Sequence, residues 1–241
     1  MINTVLLDLD GTLLQFSQDA FLAAYLPLLR DVLGGLGLDA DMATEAVWAG
    51  TRAMALNDGG RLNTERFWDV FSARMGLVGD QLKRVEDACD CFYSNEFNAV
   101  KSVLAPNEIS ARLVRALAAK GYGVVLATNP LFPLCAVESR LSWAGLDARD
   151  FILVTHYGNS SFCKPNPGYF NEIFGKIGRA PEQCLMAGNS PSEDMAAGPL
   201  GAETFLVTDC LENEAGLDIS AFRRGTLAEL EAHLMSLPDT V

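Results

Sequence analysis

INTVLLDLDGTLL, residues 2–14, joins a short apolar run to two acidic residues and a glycine. A run this short and uniformly apolar is typical of a strand buried on both faces of a parallel sheet. Asp8 and Asp10 follow it directly, and an ionised carboxylate that leaves a buried strand is costly unless a partner offsets its charge. The segment therefore predicts a strand that ends at a functional site, with an ordinary Asp-Gly turn as the alternative.

Short apolar runs recur later in the chain and alternate with helical patterns. The alternation predicts an α/β fold, a doubly wound parallel sheet with helices on both faces and right-handed crossovers. The later strands are expected at residues 123–128, 151–155, 184–188 and 203–208. The helices between and after them are expected at residues 108–120 with Asn107 as N-cap, 134–144, 168–177 and 192–200, and from a capping box at Thr226.

Residues 16–103 interrupt this alternation, because they contain helical patterns and no convincing strand. The helices of this insertion are expected at residues 19–33, 42–56, 64–75 and 81–97. We therefore predict an α/β catalytic core of residues 1–15 and 104–241 and a helical cap domain of residues 16–103. The insertion follows the first strand, so the cap is expected to lie over Asp8, where ligands bind in open α/β sheets.

Charge and composition narrow the range of partners. The net charge of −13 and the lack of any basic cluster disfavour nucleic-acid binding. No run approaches the roughly 18 apolar residues of a membrane helix. No basic residue precedes the first apolar run, which argues against a secretory signal, so a cytoplasmic protein is expected. The six cysteines match no zinc spacing and, without secretion, no disulfide framework is expected.

Two carboxylates this close in sequence suit phosphoryl transfer. Beyond the strand, Asp8 and Asp10 can point into one cleft while Gly11 lets the chain turn sharply. One carboxylate can attack phosphorus, and the other can protonate the leaving oxygen and later take a proton from water. An acidic protein that handles phosphate must supply local positive charge, and Lys164 is a candidate for it.

Four segments, in order along the chain, resemble the motifs of the haloacid dehalogenase (HAD) superfamily. They are Asp8-Leu9-Asp10-Gly11-Thr12-Leu13, Leu126-Ala127-Thr128-Asn129, Cys163-Lys164-Pro165-Asn166-Pro167 and Gly188-Asn189-Ser190-Pro191-Ser192-Glu193-Asp194. Each of the last three is weak alone, but four in this order at successive strand ends are specific. With helices inserted between the first two motifs, the chain resembles the phosphoglycolate-phosphatase-like branch, whose HAD-like (Rossmannoid) core carries a helical cap.

The resemblance implies a role for each motif in catalysis. Asp8 would be the nucleophile, and Asp10 the general acid and base. Thr128, Asn129 and Lys164 would bind the phosphoryl group, the lysine by balancing its charge.

The resemblance also implies Mg²⁺ as the cofactor, a cation that prefers oxygen ligands. Its expected ligands are the carboxylates of Asp8 and Asp194 and the backbone carbonyl of Asp10. The fourth motif most often begins Gly-Asp, so Asn189 departs from the pattern. Its amide oxygen can still bind Mg²⁺ but contributes no charge.

Together these features predict a Mg²⁺-dependent phosphatase that hydrolyses a small-molecule phosphomonoester through an aspartyl-phosphate intermediate. Asp10 disfavours the dehalogenase and phosphonatase branches, which lack that acid. A phosphosugar mutase of the same superfamily stays open, as does a catalytically weak HAD-like binding protein, which Asn189 suggests. A phospho-accepting receiver domain is disfavoured, because it needs neither the Asp10-Gly11-Thr12 turn nor an inserted cap.

The expected partner is therefore a small phosphorylated metabolite, with no nucleic acid and no membrane. Specificity is expected to come from the cap, and the sequence does not assign which of Arg52, Arg61, Asn63 and Trp68 faces the cleft. The oligomeric state is not readable from the sequence.

Overall fold

A parallel β-sheet forms the centre of the computed structural model, which describes residues 1–105 and 107–240. Its strands are β1 (Thr4–Leu7), β2 (Gly123–Leu126), β3 (Leu153–Val154), β4 (Cys184–Gly188), β5 (Glu203–Val207) and β6 (Arg224–Gly225). Within the described residues they lie in the order β3-β2-β1-β4-β5-β6, and all pairs are parallel. The parallel sheet predicted from the sequence is confirmed, with β6 as an additional short strand.

The strand register brings several chain segments to one edge of the sheet. Leu7, the last residue of β1, pairs with Leu126 of β2 on one side and Ala187 of β4 on the other. The Asp8 N–H then donates to the Ala187 carbonyl at 2.9 Å. The residues that follow β1, β2 and β4 therefore leave the sheet side by side.

Helices occupy most of the remaining chain. They are α1 (Gln18–Gly35), α2 (Ala40–Ala55), α3 (Asn63–Met75), α4 (Asp80–Ser94), α5 (Ile109–Ala119), α6 (Leu134–Trp143), α7 (Pro167–Ile177) and α8 (Leu227–Ser236). Short 3-10 helices span Glu96–Val103, Ala148–Asp150, Pro181–Gln183 and Met195–Leu200.

Side-chain caps explain where several helices begin. Helix α5 begins at Ile109, one residue later than predicted, with Glu108 in the N-cap position. The Asn107 Oδ1 still accepts from the Ile109 N–H at 2.9 Å at this helix start. Thr226 and Glu229 form the expected capping box of α8: the Thr226 Oγ1 accepts from the Glu229 N–H, and the Glu229 carboxylate accepts from the Thr226 N–H.

Two of the predicted helices differ from those in the structure. Residues 192–194 form a turn and only Met195–Leu200 are helical, because the Asp194 carboxylate accepts from the Ser190 N–H at 2.9 Å and fixes the turn. Pro199, which lacks an N–H, limits that segment to a short 3-10 helix. Helix α4 ends at Ser94, three residues early, where the Asn95 amide donates to the Cys91 carbonyl at 2.8 Å.

Apolar side chains pack on both faces of the sheet. Successive residues of a strand point to opposite faces, so Val5 and Leu7 join a cluster that includes α5, whereas Leu6 packs with Tyr169 and Phe170 of α7. All three strand residues are fully buried. The doubly wound arrangement expected from the sequence follows from this alternation.

The stretch between β1 and β2 is helical, as the sequence pattern predicts. It holds helices α1 to α4 and the 3-10 helix at Glu96–Val103, which lie in the predicted insertion of residues 16–103, and then α5. Phe132, which precedes α6, is stacked on Phe97 and meets Phe21 and Tyr25 edge to face, so one apolar cluster runs from these helices to the sheet. The division of the chain into a core and a cap domain stays a prediction. Across residues 1–105 and 107–240, every helix falls short of the length and apolarity needed to cross a bilayer.

The central position of β1 predicts the effect of a truncation there. Leu6→Ala should lower the free energy of unfolding by about 2–5 kcal/mol, because it removes buried methyl groups and leaves a cavity. Leu56→Ala, the same change at a side chain that is 70% exposed, should stay within about 0.5 kcal/mol. Urea unfolding of the two variants checks this, and equal losses would contradict the assignment of β1 as a core strand.

Candidate active site

One buried ammonium group joins two of the predicted carboxylates. Lys164 Nζ donates to Asp8 Oδ1 at 2.8 Å and to Asp194 Oδ1 at 2.6 Å. The Lys164 side chain is 1% exposed, and the two carboxylates are almost as well buried. Three residues that lie far apart in sequence, each on a loop beyond a strand, therefore meet at the carboxyl edge of the sheet.

The charges in this group depend on one another. Burial by itself would lower the pKa of Lys164, but Asp194 and Asp8 outweigh it and hold the pKa well above its usual value. Burial raises the pKa of Asp8 to about 8, although Lys164 opposes this. Lys164 therefore stays charged, whereas ionisation of Asp8 calls for more positive charge than one lysine supplies.

The loop after β4 is shaped around Asp194. Its Oδ2 accepts from the Ser190 N–H, while its Oδ1 faces Lys164. A Cβ on Gly188 would overlap the Asp194 carboxylate, so the strand end must be a glycine for this turn to close. The sequence Gly188 to Asp194 thus aims a carboxylate back at the end of β1.

Asp10 has a partner that the sequence did not indicate. Arg140 Nη1 donates to Asp10 Oδ2, and the Arg140 side chain is fully buried in α6 with its guanidinium carbon 4.4 Å from the centre of the Phe132 ring. Burial raises the pKa of Asp10, and Arg140 opposes that rise. The arginine orients the carboxyl group while leaving it readier to carry a proton than an exposed aspartate.

One oxygen of Asp10 is left without a partner. Among the described residues, neither Asp10 Oδ1 nor Arg140 Nη2 has a hydrogen-bond partner, and both atoms are buried. Unsatisfied buried polar atoms are uncommon and call for an explanation such as a bound water or ligand. One feature of the sequence could have revealed this arginine. Arg140 lies four residues after Ala136 and three after Val137, which places its charge on the buried face of the helix.

The residues that follow β2 are tied down by hydrogen bonds. The Thr128 carbonyl accepts from the Thr155 hydroxyl at 2.7 Å and from the Tyr169 hydroxyl at 2.8 Å. Asn129 Oδ1 accepts from the Lys164 N–H at 3.3 Å, and its Nδ2 donates to Glu193 Oε2 at 3.1 Å. Asn129 therefore links the loop that carries Lys164 to the loop that carries Asp194, and the backbone of Thr128 is fixed just beyond the end of β2.

Asn189 lies against the turn that carries the two aspartates. Its Oδ1 accepts from the Thr12 hydroxyl at 3.4 Å, and its Nδ2 donates to the Cys210 carbonyl at 2.7 Å. Gly11 has a positive φ of 77°, and a Cβ there would overlap the Asn189 side chain. The amide of the fourth motif and the turn of the first motif therefore occupy adjoining space.

The carboxylates of the site outnumber its cations. Asp8, Asp10, Glu193 and Asp194 interact with one another and with Lys164, and Arg140 pairs with Asp10. The group therefore has an excess of two negative charges when all are ionised. Burial is the main reason that the pKa of Glu193 is raised, as it is for Asp8 and Asp10.

This donor set fits a divalent cation in charge and in chemistry. The candidate ligand atoms of the group are carboxylate, amide and backbone carbonyl oxygens, which suit Mg²⁺. Within the described residues, no three Asp, Glu, His or Cys side chains form a ready-made metal-binding group. A bound Mg²⁺ would therefore also draw on the Asn189 amide, the backbone carbonyl of Asp10 and water.

Asn63 connects the inserted helices to the loops of the site. It is fully buried at the start of α3, and its Nδ2 lies 3.3 Å from both the Pro130 carbonyl and the Phe162 carbonyl. Of the other residues that the sequence left unassigned, Arg52 and Arg61 are exposed, whereas Trp68 lines a cavity beside Asp10. Asn63 therefore has a structural role, and Trp68 faces the cleft.

A family model describes most of the chain. Residues 2–199 match the model of the haloacid dehalogenase-like hydrolases. The match includes all four motifs and the inserted helices. None of the curated proteins is similar enough in sequence to count as a match.

Solved structures share the fold over nearly the whole chain. A predicted phosphoglycolate phosphatase from Haemophilus somnus 129PT is 20% identical, with a TM-score of 0.56 over 96% of this chain and 97% of that one. An HAD phosphatase from Thermococcus onnurineus is 19% identical, with a TM-score of 0.60 over 99% and 100%. CbbY from Rhodobacter sphaeroides, solved in complex with phosphate, is 18% identical, with a TM-score of 0.58 over 95% and 96%.

At these identities the structures establish a common fold, and the family model establishes the relationship. Strands β1 to β4, the inserted helices and all four motifs lie within residues 2–199, which the family model matches. This chain belongs to the haloacid dehalogenase-like hydrolases.

Proposed function

We propose that this hydrolase is a Mg²⁺-dependent phosphatase that cleaves a small-molecule phosphomonoester through an aspartyl-phosphate at Asp8. The contact that carries the proposal is the bridge from Lys164 Nζ to Asp8 and Asp194. It places the carboxyl group of the nucleophile and a fixed positive charge at a single point on the carboxyl edge of the sheet. Phosphoryl transfer requires mainly this positioning and charge balance.

In the first step an oxygen of Asp8 attacks phosphorus, and the bond from phosphorus to the alcohol oxygen breaks. Asp10 gives its proton to that oxygen, so the alcohol leaves neutral. In the second step water attacks the aspartyl-phosphate, Asp10 takes the proton from that water, and the bond between phosphorus and Asp8 breaks. Inorganic phosphate and the regenerated carboxylate are the products.

The remaining polar groups have supporting roles in this proposal. Lys164 and the Thr128 hydroxyl bind the phosphoryl oxygens, and Asn129 holds the loop that carries Lys164. A bound Mg²⁺ would neutralise charge on the phosphoryl group and favour the ionised form of Asp8. Asp8, Asp194, Asn189 and the carbonyl of Asp10 would hold it.

Helices α1 to α4 are proposed to act as the cap over this site. They follow β1 directly, and their aromatic side chains continue to Phe132 beside Arg140. One of the similar structures supports a phosphorylated small molecule as substrate. CbbY was solved with phosphate and, as a mutant called D10N in its own numbering, with xylulose-(1,5)bisphosphate.

Replacing the nucleophile tests the proposal directly. Asp8→Asn should lower release of phosphate from acetyl phosphate or 4-nitrophenyl phosphate by roughly 10³-fold or more, since an amide cannot form the intermediate. Asp31→Asn, the same change at an exposed residue of α1, should keep full activity. Circular dichroism confirms folding, and hydroxylamine trapping detects the intermediate in the wild type. Equal rates for the two variants would show that Asp8 is not the nucleophile.

A second test concerns the proton given to the leaving alcohol. Asp10→Asn should slow hydrolysis of n-butyl phosphate by about 10²-fold or more, because an alkoxide leaves poorly without a proton. Hydrolysis of 4-nitrophenyl phosphate should fall much less, because nitrophenolate needs no proton.

Arg140→Lys should show the same dependence on the leaving group at about 10- to 100-fold, because Asp10 loses the partner that aims it. The kcat should fall and the KM should stay nearly constant. Arg149→Met, at an arginine whose side chain is 89% exposed, is the control. A uniform loss on both esters would mean that Arg140 supports folding and does not position the acid.

Metal binding can be measured without turnover. At a Mg²⁺ concentration 100 times its Kd, the cation should stabilise the folded protein by about 2.7 kcal/mol. The melting temperature should then rise by about 5–10 °C. The rise should be largely lost in Asp194→Asn and kept in Asp31→Asn. Chelation should abolish activity, and an equal rise in both variants would place the cation elsewhere.

A further inference from the structure

A partly enclosed cavity adjoins the residue proposed to protonate the leaving group. It has a volume of about 170 Å³ and lies between the inserted helices and the loop before α6, with Asp10 in its wall. An engineered protein cavity of roughly 150 Å³ takes up benzene. A group the size of a substituted phenyl ring, attached to an oxygen within reach of Asp10, therefore fits this space.

The cavity wall is mainly apolar and aromatic. Phe21 and Tyr25 from α1, Trp68 and Phe71 from α3, and Phe132 before α6 all line it. Tyr25 and Tyr93 share a hydrogen bond of 2.6 Å between their hydroxyls, and burial raises the pKa of both. The tyrosines are therefore neutral, and because the hydroxyls already bond each other, the rings act mainly as apolar walls.

Positive charge is missing from the wall. No lysine, arginine or histidine of residues 1–105 and 107–240 lines the cavity, whereas two acids, Asp10 and Asp90, do. Arg52, on α2 beside the lining residue Thr51, is exposed and outside the wall. A carboxylate or second phosphate placed here would meet the like charges of Asp10 and Asp90, which is costly in an apolar site. The buried guanidinium behind Phe132, that of Arg140, already pairs with Asp10.

Nearby cations of the inserted segment are paired with acidic residues at the surface. Arg61 pairs with Asp69, and Arg66 pairs with Asp58 at 3.1 Å. In α4, Lys83 pairs with Asp87 at 2.8 Å. These pairs keep the charged ends of the side chains at the exterior of the insertion.

We propose that the substrate is the phosphate monoester of an uncharged, largely apolar alcohol of about phenylalkyl size, with no second anionic group. The inference rests on the proposed phosphatase function, and it separates this chain from enzymes that act on phosphoglycolate or on bisphosphates. The phosphoryl group lies at Asp8 and Lys164, the ester oxygen at Asp10, and the apolar part of the alcohol in the cavity beside Trp68.

The test compares esters of primary alcohols in the presence of Mg²⁺. The kcat/KM for 2-phenylethyl phosphate should exceed that for phosphoglycolate and for glucose 6-phosphate by roughly 10- to 100-fold, the factor expected from burying a phenyl group. Acetyl phosphate, which does not need the cavity, reports on the phosphoryl chemistry alone. Preference for phosphoglycolate, glucose 6-phosphate or phosphocholine while acetyl phosphate is hydrolysed would overturn the inference and leave the phosphatase proposal standing.

Two variants locate the preference in the cavity. Trp68→Ala should lower kcat/KM for 2-phenylethyl phosphate at least about tenfold and leave acetyl phosphate unchanged. Thr51→Lys, which adds a cation to the wall, should raise the ratio of phosphoglycolate to 2-phenylethyl phosphate hydrolysis at least about tenfold. Ala55→Lys, at an exposed position of the same helix, should leave the ratio as in the wild type. An unchanged ratio in Thr51→Lys would contradict the assignment.

A binding measurement separates the two proposals if no ester is hydrolysed. Calorimetry with 3-phenylpropylphosphonate and 3-phosphonopropionate, which cannot be cleaved, should give at least about tenfold tighter binding of the phenyl compound. That result without any hydrolysis would retain the cavity inference and refute the phosphatase. Equal binding, or tighter binding of the carboxylate, would refute the cavity inference.

Discussion

The bridge between Lys164 and the carboxylates of Asp8 and Asp194 is the interaction on which the site depends. A buried carboxylate without a partner is strongly destabilising, and two of them side by side are worse. Lys164 makes both tolerable and leaves Asp8 with an oxygen that it does not bind. A buried ion triad of this kind adds little stability relative to apolar packing, so its value lies in the chemistry it permits.

The parallel sheet makes this bridge possible. Because β1 lies between β2 and β4, the loops after all three strands open on the same edge. Gly11 and Gly188 then leave room for the side chains of Asn189 and Asp194, which turn back toward the end of β1. The backbone geometry thus sets where the charged side chains lie, and Asp10 also lines the apolar cavity.

The sequence alone predicted those features of the fold and the site that depend on a short, local pattern of residues. The apolar run that ends in Asp8 predicted the central strand, and four short motifs predicted which loops would meet. The contact of Arg140 with Asp10 was not predicted, because the two residues are 130 positions apart and a single arginine in an amphipathic helix usually faces solvent. The turn before Met195 was missed because a side chain, Asp194, overrode the helical pattern. The cavity depends on packing among distant helices, which no local pattern encodes; the catalytic roles of the motif residues remain predictions.

The hydrogen bonds of Asn63 couple the inserted helices to the loops of the site. Its amide holds the Pro130 and Phe162 carbonyls, which adjoin Asn129 and Cys163, so the inserted helices are joined to the loops that position the lysine. Any swing of these helices away from the sheet would strip both carbonyls of this donor and loosen the loops on either side. Under the proposed mechanism, an opening of the inserted helices that admits substrate would therefore also disturb the loop that positions Lys164.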